Sequence, residues 1–349
     1  MNAFASFVRK ECIHILRDPR TMLIVLLMPV VLMMLFGFAI STEIKNINVA
    51  AVATRYTTDV RRDLTALEHN PYVTFKGIIR EGEVDAALRC GRCSAVVLFG
   101  RDGKRHIVLD ASNSSLSASS AFYLRSILTA DAAASALPVT TYMRHNPQLK
   151  SAYNFVPGVM GLIFILICAL MTCVSVVREK ESGTMEVLLV SPVKPFYIIV
   201  SKMVPYLLLS FIDLIIILVL AYFVLDVPMA GGVVGIVLFS VLYLVLSLAL
   251  GMMVSNVVDS QIAALLISAM VMMMPVLFFS GLLFPVENLP WALRWISYVV
   301  PARWYIDAMR KMMIVGVGLS GVLLEAGVLL FETVVLLVAS TKKFNDRLE

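Results

Sequence analysis

The sequence predicts a mainly α-helical membrane protein. Six transmembrane helices follow an N-terminal amphipathic helix, and a small extracytoplasmic α/β domain is inserted between the first and second spans. Three observations carry this. Of the 349 residues, 60% are hydrophobic and 15% are charged, with a mean hydropathy of +0.88; a soluble domain is roughly half apolar and a quarter charged. Six apolar runs are close to the ~20 residues that cross a bilayer core as helix. Between the first and second of these, residues 41–152 revert to soluble composition, with alternating strand and helix patterns. The net charge of +5 is spread over short loops rather than gathered in a patch, which excludes a nucleic-acid surface.

Residues 1–20 place Phe4, Phe7, Val8, Cys12, Ile15 and Leu16 at helical spacing against Arg9, Lys10, His14 and Arg17. That is an amphipathic interfacial helix whose basic residues point to the cytoplasm. Glu11 falls within the apolar stripe, where it snorkels or pairs with a nearby base. Asp18-Pro19 ends the helix, and residues 21–40 form the first span. The Ala39-Ile40-Ser41 triplet resembles a signal-peptidase site, but the apolar run is too long and its leader carries acids, so an uncleaved anchor is expected.

Within 41–152, strands are predicted at Ile47–Ala53, Val73–Ile79, Ser94–Phe99 and His106–Asp110, and helices at Asp59–Asn70, Glu83–Cys90 and Ser117–Ala136. Gly100-Arg-Asp-Gly103-Lys104 lacks the spacing of a phosphate loop. His69, His106 and His145 have no convincing catalytic partner. Cys90-Gly-Arg-Cys93 has no second pair to complete a zinc site, and reads as two buried thiols or as a local disulfide. No metal or cofactor site is apparent.

Five further apolar runs lie within 153–349: Phe155–Val177, Val204–Leu225, Gly232–Val254, Ile262–Phe284 and about Gly321–Ser340. With six spans and the N-terminus inside, both termini are cytoplasmic and 41–152 is outside. Basic residues mostly cluster on the short inside segments, as this orientation requires. One stretch departs from the pattern: Arg294, Arg303, Arg310 and Lys311 would be outside. Pro285, Pro290 and Pro301 break that stretch into pieces too short to span, and Trp291, Trp295, Tyr298, Trp304 and Tyr305 suit a membrane interface. Residues 285–313 therefore read as short amphipathic helices re-entering the outer leaflet, with the arginines at headgroup level.

The organising stretch is residues 178–195, REKESGTMEVLLVSPVKP, a charged island between apolar segments. Arg178, Glu179, Lys180 and Glu181 mark a return to water. Ser182-Gly183-Thr184 breaks the helix, and Thr184 or Ser182 can cap a second helix whose first turn carries Glu186. That helix ends at Ser191-Pro192. The stretch resembles the cytoplasmic motif RE-x-E-x-G-T-x-E-x-L-L-x-S/T-P of the ABC type-2 transporter permease family, with Ser182 where a basic residue is common. The FPVENLPW stretch and Pro301-Ala-Arg303-Trp304 resemble further motifs of that family, as does the N-terminal segment KECIHILRDPRTMLIVLLMPVVLMMLFG.

The resemblance implies a permease subunit, not an enzyme, with Arg178, Glu179, Glu181, Gly183, Thr184, Glu186, Ser191 and Pro192 coupling the membrane path to an ABC ATPase on a separate chain. It also implies pairing with a second permease subunit, identical or paralogous, in the cell inner membrane. The large outside domain suggests export, with a periplasmic adaptor as a further partner. The alternative is a receptor relaying the state of the outside domain, but the inside segments are too short to hold a signalling domain. An intramembrane protease would need a catalytic pair, and neither HExxH nor GxSxG occurs.

Two acids lie deep in spans: Asp213 in the third and Glu332 in the sixth, with no basic partner at that depth. A lone carboxylate in hydrocarbon must be neutralised by a proton or a cation. The acid either hydrogen-bonds across a helix contact or faces the transport path. The twenty methionines, many within Met252–Met274, serve as apolar filler or line an adaptable path.

Overall fold

The computed structural model describes residues 3–39, 47–53, 56–89, 92–100, 104–109, 114–129, 151–184, 195–283, 286 and 289–345. The chain forms two compact units, Ser41–Lys150 and the rest.

In the smaller unit, strands β1 (Ile47–Ala53), β2 (Val73–Ile78), β3 (Ala95–Phe99) and β4 (Arg105–Leu109) form one sheet in the order β2-β1-β3-β4. β1 runs parallel to both β2 and β3, and β4 returns antiparallel to β3. Helix α3 (Thr58–Glu68) joins β1 to β2, and α4 (Val84–Arg89) lies between β2 and β3; α5 (Ser114–Thr129) follows β4. Because β1 is central, both of its faces must be apolar. Ile47, Val49 and Ala51 pack under Leu67 of α3 with Leu124 and Leu128 of α5, whereas Ala50 and Val52 meet Val84 and Ala87 of α4. The sheet is thus covered on both sides. Thr57 caps α3, its hydroxyl accepting from the Val60 amide at 3.4 Å. Arg105 donates through Nε and Nη2 to the buried Asp63 carboxylate at 2.6 and 3.1 Å, tying β4 to α3. Cys93 is buried, and Cys90 lies outside the described residues.

The larger unit comprises α1 (Ala3–Leu16), α2 (Pro19–Ala39), α6 (Ser151–Glu181), α7 (Pro195–Phe223), α8 (Val233–Ser255), α9 (Gln261–Phe279), α10 (Trp291–Tyr298), α11 (Pro301–Arg310) and α12 (Leu323–Asn345). Among the described residues, α6, α7, α8, α9 and the stretch Leu319–Lys342 are long and apolar enough to cross a membrane. The apolar described part of α2, Met22–Gly37, is shorter. Proline lies inside α2, α6, α7 and α9, as neighbouring helices in lipid tolerate.

α6 is the hub, packed against α2, α7, α8, α9 and α11. Its small residues admit close neighbours. A Cβ on Gly251 of α8 would sit 2.4 Å from the Ala169 carbonyl oxygen, so the two backbones meet at that level only because Gly251 has none. Nearer the start of α6, the Tyr243 hydroxyl of α8 donates to the Gly161 carbonyl at 2.9 Å. The Tyr243 ring stacks on Tyr305 of α11 with centroids 4.1 Å apart, and the hydroxyls of Tyr305 and Ser240 lie 2.9 Å apart. This interior polar knot ties α6, α8 and α11 together.

α6 also sets the two ends of the bundle. Asn154 and Glu179 are separated by roughly 37 Å of helix at ~1.5 Å per residue, more than the ~30 Å hydrocarbon core. α1 and the start of α7 lie at the Glu179 end, as the contacts of Lys10 and Lys202 establish. Gly37, near the end of α2, abuts Leu225, just past the end of α7. α2 thus runs beside α7 and in the same direction.

Candidate coupling site

The site is built from the last turn of α6. That helix stays regular through Glu181 and stops at Gly183, whose φ of +71° is a left-handed conformation that favours glycine. The Ser182 and Thr184 hydroxyls lie 2.9 Å apart, and Thr184 donates back to the Glu179 carbonyl at 3.3 Å.

Three of the four charged residues of that turn point to different partners. Glu179 is gripped from two directions: Lys10 of α1 donates to Oε1 at 2.5 Å, and Lys202 of α7 contacts Oε2. Glu11, 4% exposed, faces the same group, 3.6 Å from Lys10 and 3.7 Å from Lys202. Two lysines and two glutamates thus form a closed, neutral junction among α1, α6 and α7. Partial burial pulls on the Lys10 ammonium, but the Glu179 and Glu11 carboxylates hold its pKa above the ordinary lysine value. Lys180 turns the other way, to the Ser255 carbonyl, to the Val258 carbonyl at 3.0 Å and to Asp259 at 3.7 Å. Glu181 accepts from the Gln261 backbone amide at 2.8 Å and contacts its side-chain amide. The carboxylate therefore sits at the N-terminus of α9, where a negative charge suits the helix dipole; Ser260 caps that helix, accepting from the Ala263 amide at 3.2 Å. Arg178 is exposed.

One helical turn thus holds α1 and α7 through Glu179 and the α8–α9 connection through Lys180 and Glu181. Of the residues expected to couple, Arg178, Glu179, Glu181, Gly183 and Thr184 lie together here, while Glu186, Ser191 and Pro192 fall outside the described residues. Sequence reasoning missed Lys202, Lys180 and Gln261 as members. The signal for Lys202 was the apolar flank Phe196–Val200 just ahead of it, outside the run expected from Val204; in the structure it is 3% exposed, and a lysine so buried must have an anionic partner. Glu11 was expected to snorkel or to pair with a base, and it pairs.

Asp213 and Glu332 lie elsewhere. Asp213 is 2% exposed on the inner side of α7, and neither of its carboxylate oxygens has a hydrogen-bond partner among the described residues. Cys168 of α6 is within its electrostatic reach and bonds Ser210 at 3.1 Å. Glu332 of α12 has one buried oxygen without a hydrogen-bond partner among the described residues and lies within electrostatic reach of Tyr243. Glu325, in the first turn of α12, accepts from Lys311 at 2.5 Å. That hydrogen bond, with Asp307 alongside at 3.1 Å, holds the Lys311 pKa above its ordinary value.

A many-span apolar bundle of this kind defines a multi-pass membrane protein. The match to the ABC-2 family transporter proteins runs over residues 19–342, and the chain belongs to that family. It is 24% identical over 357 aligned residues to the probable multidrug ABC transporter permease YbhS of Escherichia coli, covering 96% of this chain and 92% of that one. Identity to the probable multidrug ABC transporter permease YbhR of the same organism is 25%, over 88% of each chain. The inner membrane transport permease YhhJ is 28% identical over 38% of this chain and 41% of its own.

Proposed function

We propose that this permease subunit belongs to an ATP-driven exporter of the inner membrane and docks a separate ABC ATPase on the segment 178–195. The observation that carries the reading is the junction at the end of α6. A push on the chain just beyond Gly183 meets α1, α7 and the α8–α9 connection at once, through Glu179, Lys180 and Glu181. A partner docked there moves several helices together, which is what coupling requires.

In this reading α2 is the first of six spans, both termini are cytoplasmic, and the unit 41–150 is extracytoplasmic. The parallel course of α2 and α7 supports the count, and the basic residues Arg9, Lys10, Arg17, Lys180 and Lys202 near the Glu179 end support the orientation. The segment at 285–313 contributes the short helices α10 and α11, which we place at the outer interface. The transport path lies between two permease subunits, either two copies or paralogues. The exposed apolar faces of α7 and α9, with Phe211, Ile215, Met270 and Met274, are available to the partner subunit or to lipid. Asp213, enclosed within one chain's bundle, serves helix packing better than that path; Glu332, half-buried, remains the candidate path acid of the two. Two relatives are named as probable multidrug permeases, which supports drugs as the cargo; in this reading the extracytoplasmic unit hands it to a periplasmic adaptor.

The test is ATP-driven export of a lipophilic dye in proteoliposomes holding the permease and its ATPase. Glu186→Arg should leave insertion and pairing intact while uncoupling hydrolysis from export. Normal export by that variant would overturn the docking assignment.

A further inference from the structure

Glu332 stands in the middle of α12, within the apolar stretch Leu319–Lys342. At ~1.5 Å per residue it is roughly 15 Å along the helix from Lys342 and roughly 10 Å from Glu325. It lies on the border between the packed and the open face of that helix. Leu329 and Thr333 on one side are buried, whereas Leu330, Phe331, Val334 and Val335 are between 48% and 69% exposed. One carboxylate oxygen is buried without a hydrogen-bond partner among the described residues, and the residue as a whole is only half-buried.

The donors of the bundle are committed elsewhere. Tyr243, within electrostatic reach of Glu332, gives its hydroxyl proton to the Gly161 carbonyl at 2.9 Å. Thr333 donates to the Leu329 carbonyl at 2.6 Å and Ser247 to the Tyr243 carbonyl at 2.8 Å. The Ser240 and Tyr305 hydroxyls bond each other. Lys311, ahead of α12, is taken by Glu325 and Asp307. A second copy of the chain brings no remedy at this depth. Residues 21–40, 155–177, 204–225, 232–254, 261–284 and 312–341 contain no Lys, Arg or His. The carboxylate is therefore completed by a proton or by a cation that is not part of the protein.

We propose that Glu332 selects the charge of the cargo and that the path takes lipophilic cations, an onium group carried on apolar substituents. The inference rests on the export reading above and names the chemical class of what is exported. The surroundings decide between kinds of cation. A small hydrated ion would have to shed its water for one carboxylate on an otherwise apolar surface, which is costly. An onium whose charge lies beneath apolar groups loses little hydration and gains the carboxylate in a medium where charges attract strongly. Its substituents lie against Phe331, Val334 and Val335, and the Phe331 ring beside the acid adds a favourable face for positive charge. A neutral molecule of the same shape gains the apolar contact alone.

The complex of permease and ATPase, purified in detergent and held without ATP, is given radiolabelled tetraphenylphosphonium, and binding is read by equilibrium dialysis. Triphenylphosphine oxide, neutral and bearing the same aryl groups, is the matched control. Wild type should prefer the cation by about tenfold, the worth of one charge-assisted contact. Glu332→Gln should bring the two probes level, and Glu332→Asp should keep most of the preference; a purely structural role would move both probes together. A measurement on wild-type protein decides the matter if Glu332→Gln does not fold. Dicyclohexylcarbodiimide, which adds to protonated carboxyl groups in apolar surroundings, should label Glu332, and tetraphenylphosphonium should slow that labelling where triphenylphosphine oxide does not. Equal binding of the two probes by wild type, a preference retained in Glu332→Gln, or labelling that the cation does not slow overturns the assignment. A Glu332-dependent preference in a complex that moves neither probe on addition of ATP would instead overturn the export reading and leave the cation site standing.

Discussion

Lys202 holds the most exacting position in the chain, because it is buried beside two carboxylates. Replacing it by Met leaves Glu11 and Glu179 facing each other with only Lys10 between them. Breaking a buried ion pair from one side costs about 3–5 kcal/mol, so Lys202→Met should lower the thermal midpoint of the detergent-solubilised protein sharply. Lys202→Met combined with Glu179→Gln should recover part of the loss, because the uncompensated charge is gone. A single variant as stable as wild type would show the junction to be idle. Asp213→Asn makes the opposite expectation: an amide of the same shape within the bundle should leave assembly and export within about twofold of wild type, as for a residue that packs rather than conducts. Abolished export with assembly intact would place Asp213 on the path. The contrast shows what sequence could supply. The depth of Asp213 was legible in its apolar flanks, whereas the partners of Glu179 were not, because Lys10 and Lys202 are 169 and 23 residues away from it. A charge pattern marks which groups need partners and leaves open which groups meet.

At the level of elements, alternation in the soluble segment gave the four strands to within a residue or so, since β1 reads as Ile-Asn-Val-Ala-Ala-Val-Ala and must be central. Boundaries of the apolar helices were less legible. The third run was expected to begin at Val204, but α7 starts at Pro195, nine residues earlier, because the Lys202 charge is neutralised by Glu179 and Glu11 and no longer bars that turn from the bundle. The α6–α8 crossing carries its own prediction. Gly251→Leu would force a side chain into the Ala169 backbone, which cannot retreat, so the two helices must separate. We expect a loss of about 2 kcal/mol or more, read as reduced yield of folded protein and a lower unfolding midpoint, whereas Gly327→Ala on α12, where a Cβ meets nothing within 4 Å, should be silent. Gly183→Ala tests the end of α6. Its Cβ also meets nothing, so the strain is confined to the backbone at about 1 kcal/mol; insertion should survive while ATP-driven export falls, if the stop after Glu181 sets how the docked segment leaves the helix.

For the whole molecule, the deciding question is whether α2 crosses the membrane, because that fixes the side on which the α/β unit lies. The course of the helices argues that it does. α1 and the start of α7 meet the end of α6 at Glu179, whereas α6 begins roughly 37 Å away at ~1.5 Å per residue. The chain leaving α1 must therefore reach the far end before Ser151, and α2, which ends beside Leu225 past the far end of α7, is the helix that carries it there. If so, Arg62 of α3 and Gly318, ahead of α12, share one side of the membrane, and Arg9 and Thr184 share the other. Single cysteines at these four exposed positions, in a background lacking the native five, can be probed with an impermeant maleimide on intact spheroplasts. Arg62→Cys and Gly318→Cys should label at once, and Arg9→Cys and Thr184→Cys only after permeabilisation. Labelling of Arg62→Cys from the same side as Arg9→Cys would leave α2 short of the far side and reduce the spans to five. It would also remove the export reading, since the α/β unit would then face the ATPase rather than an adaptor.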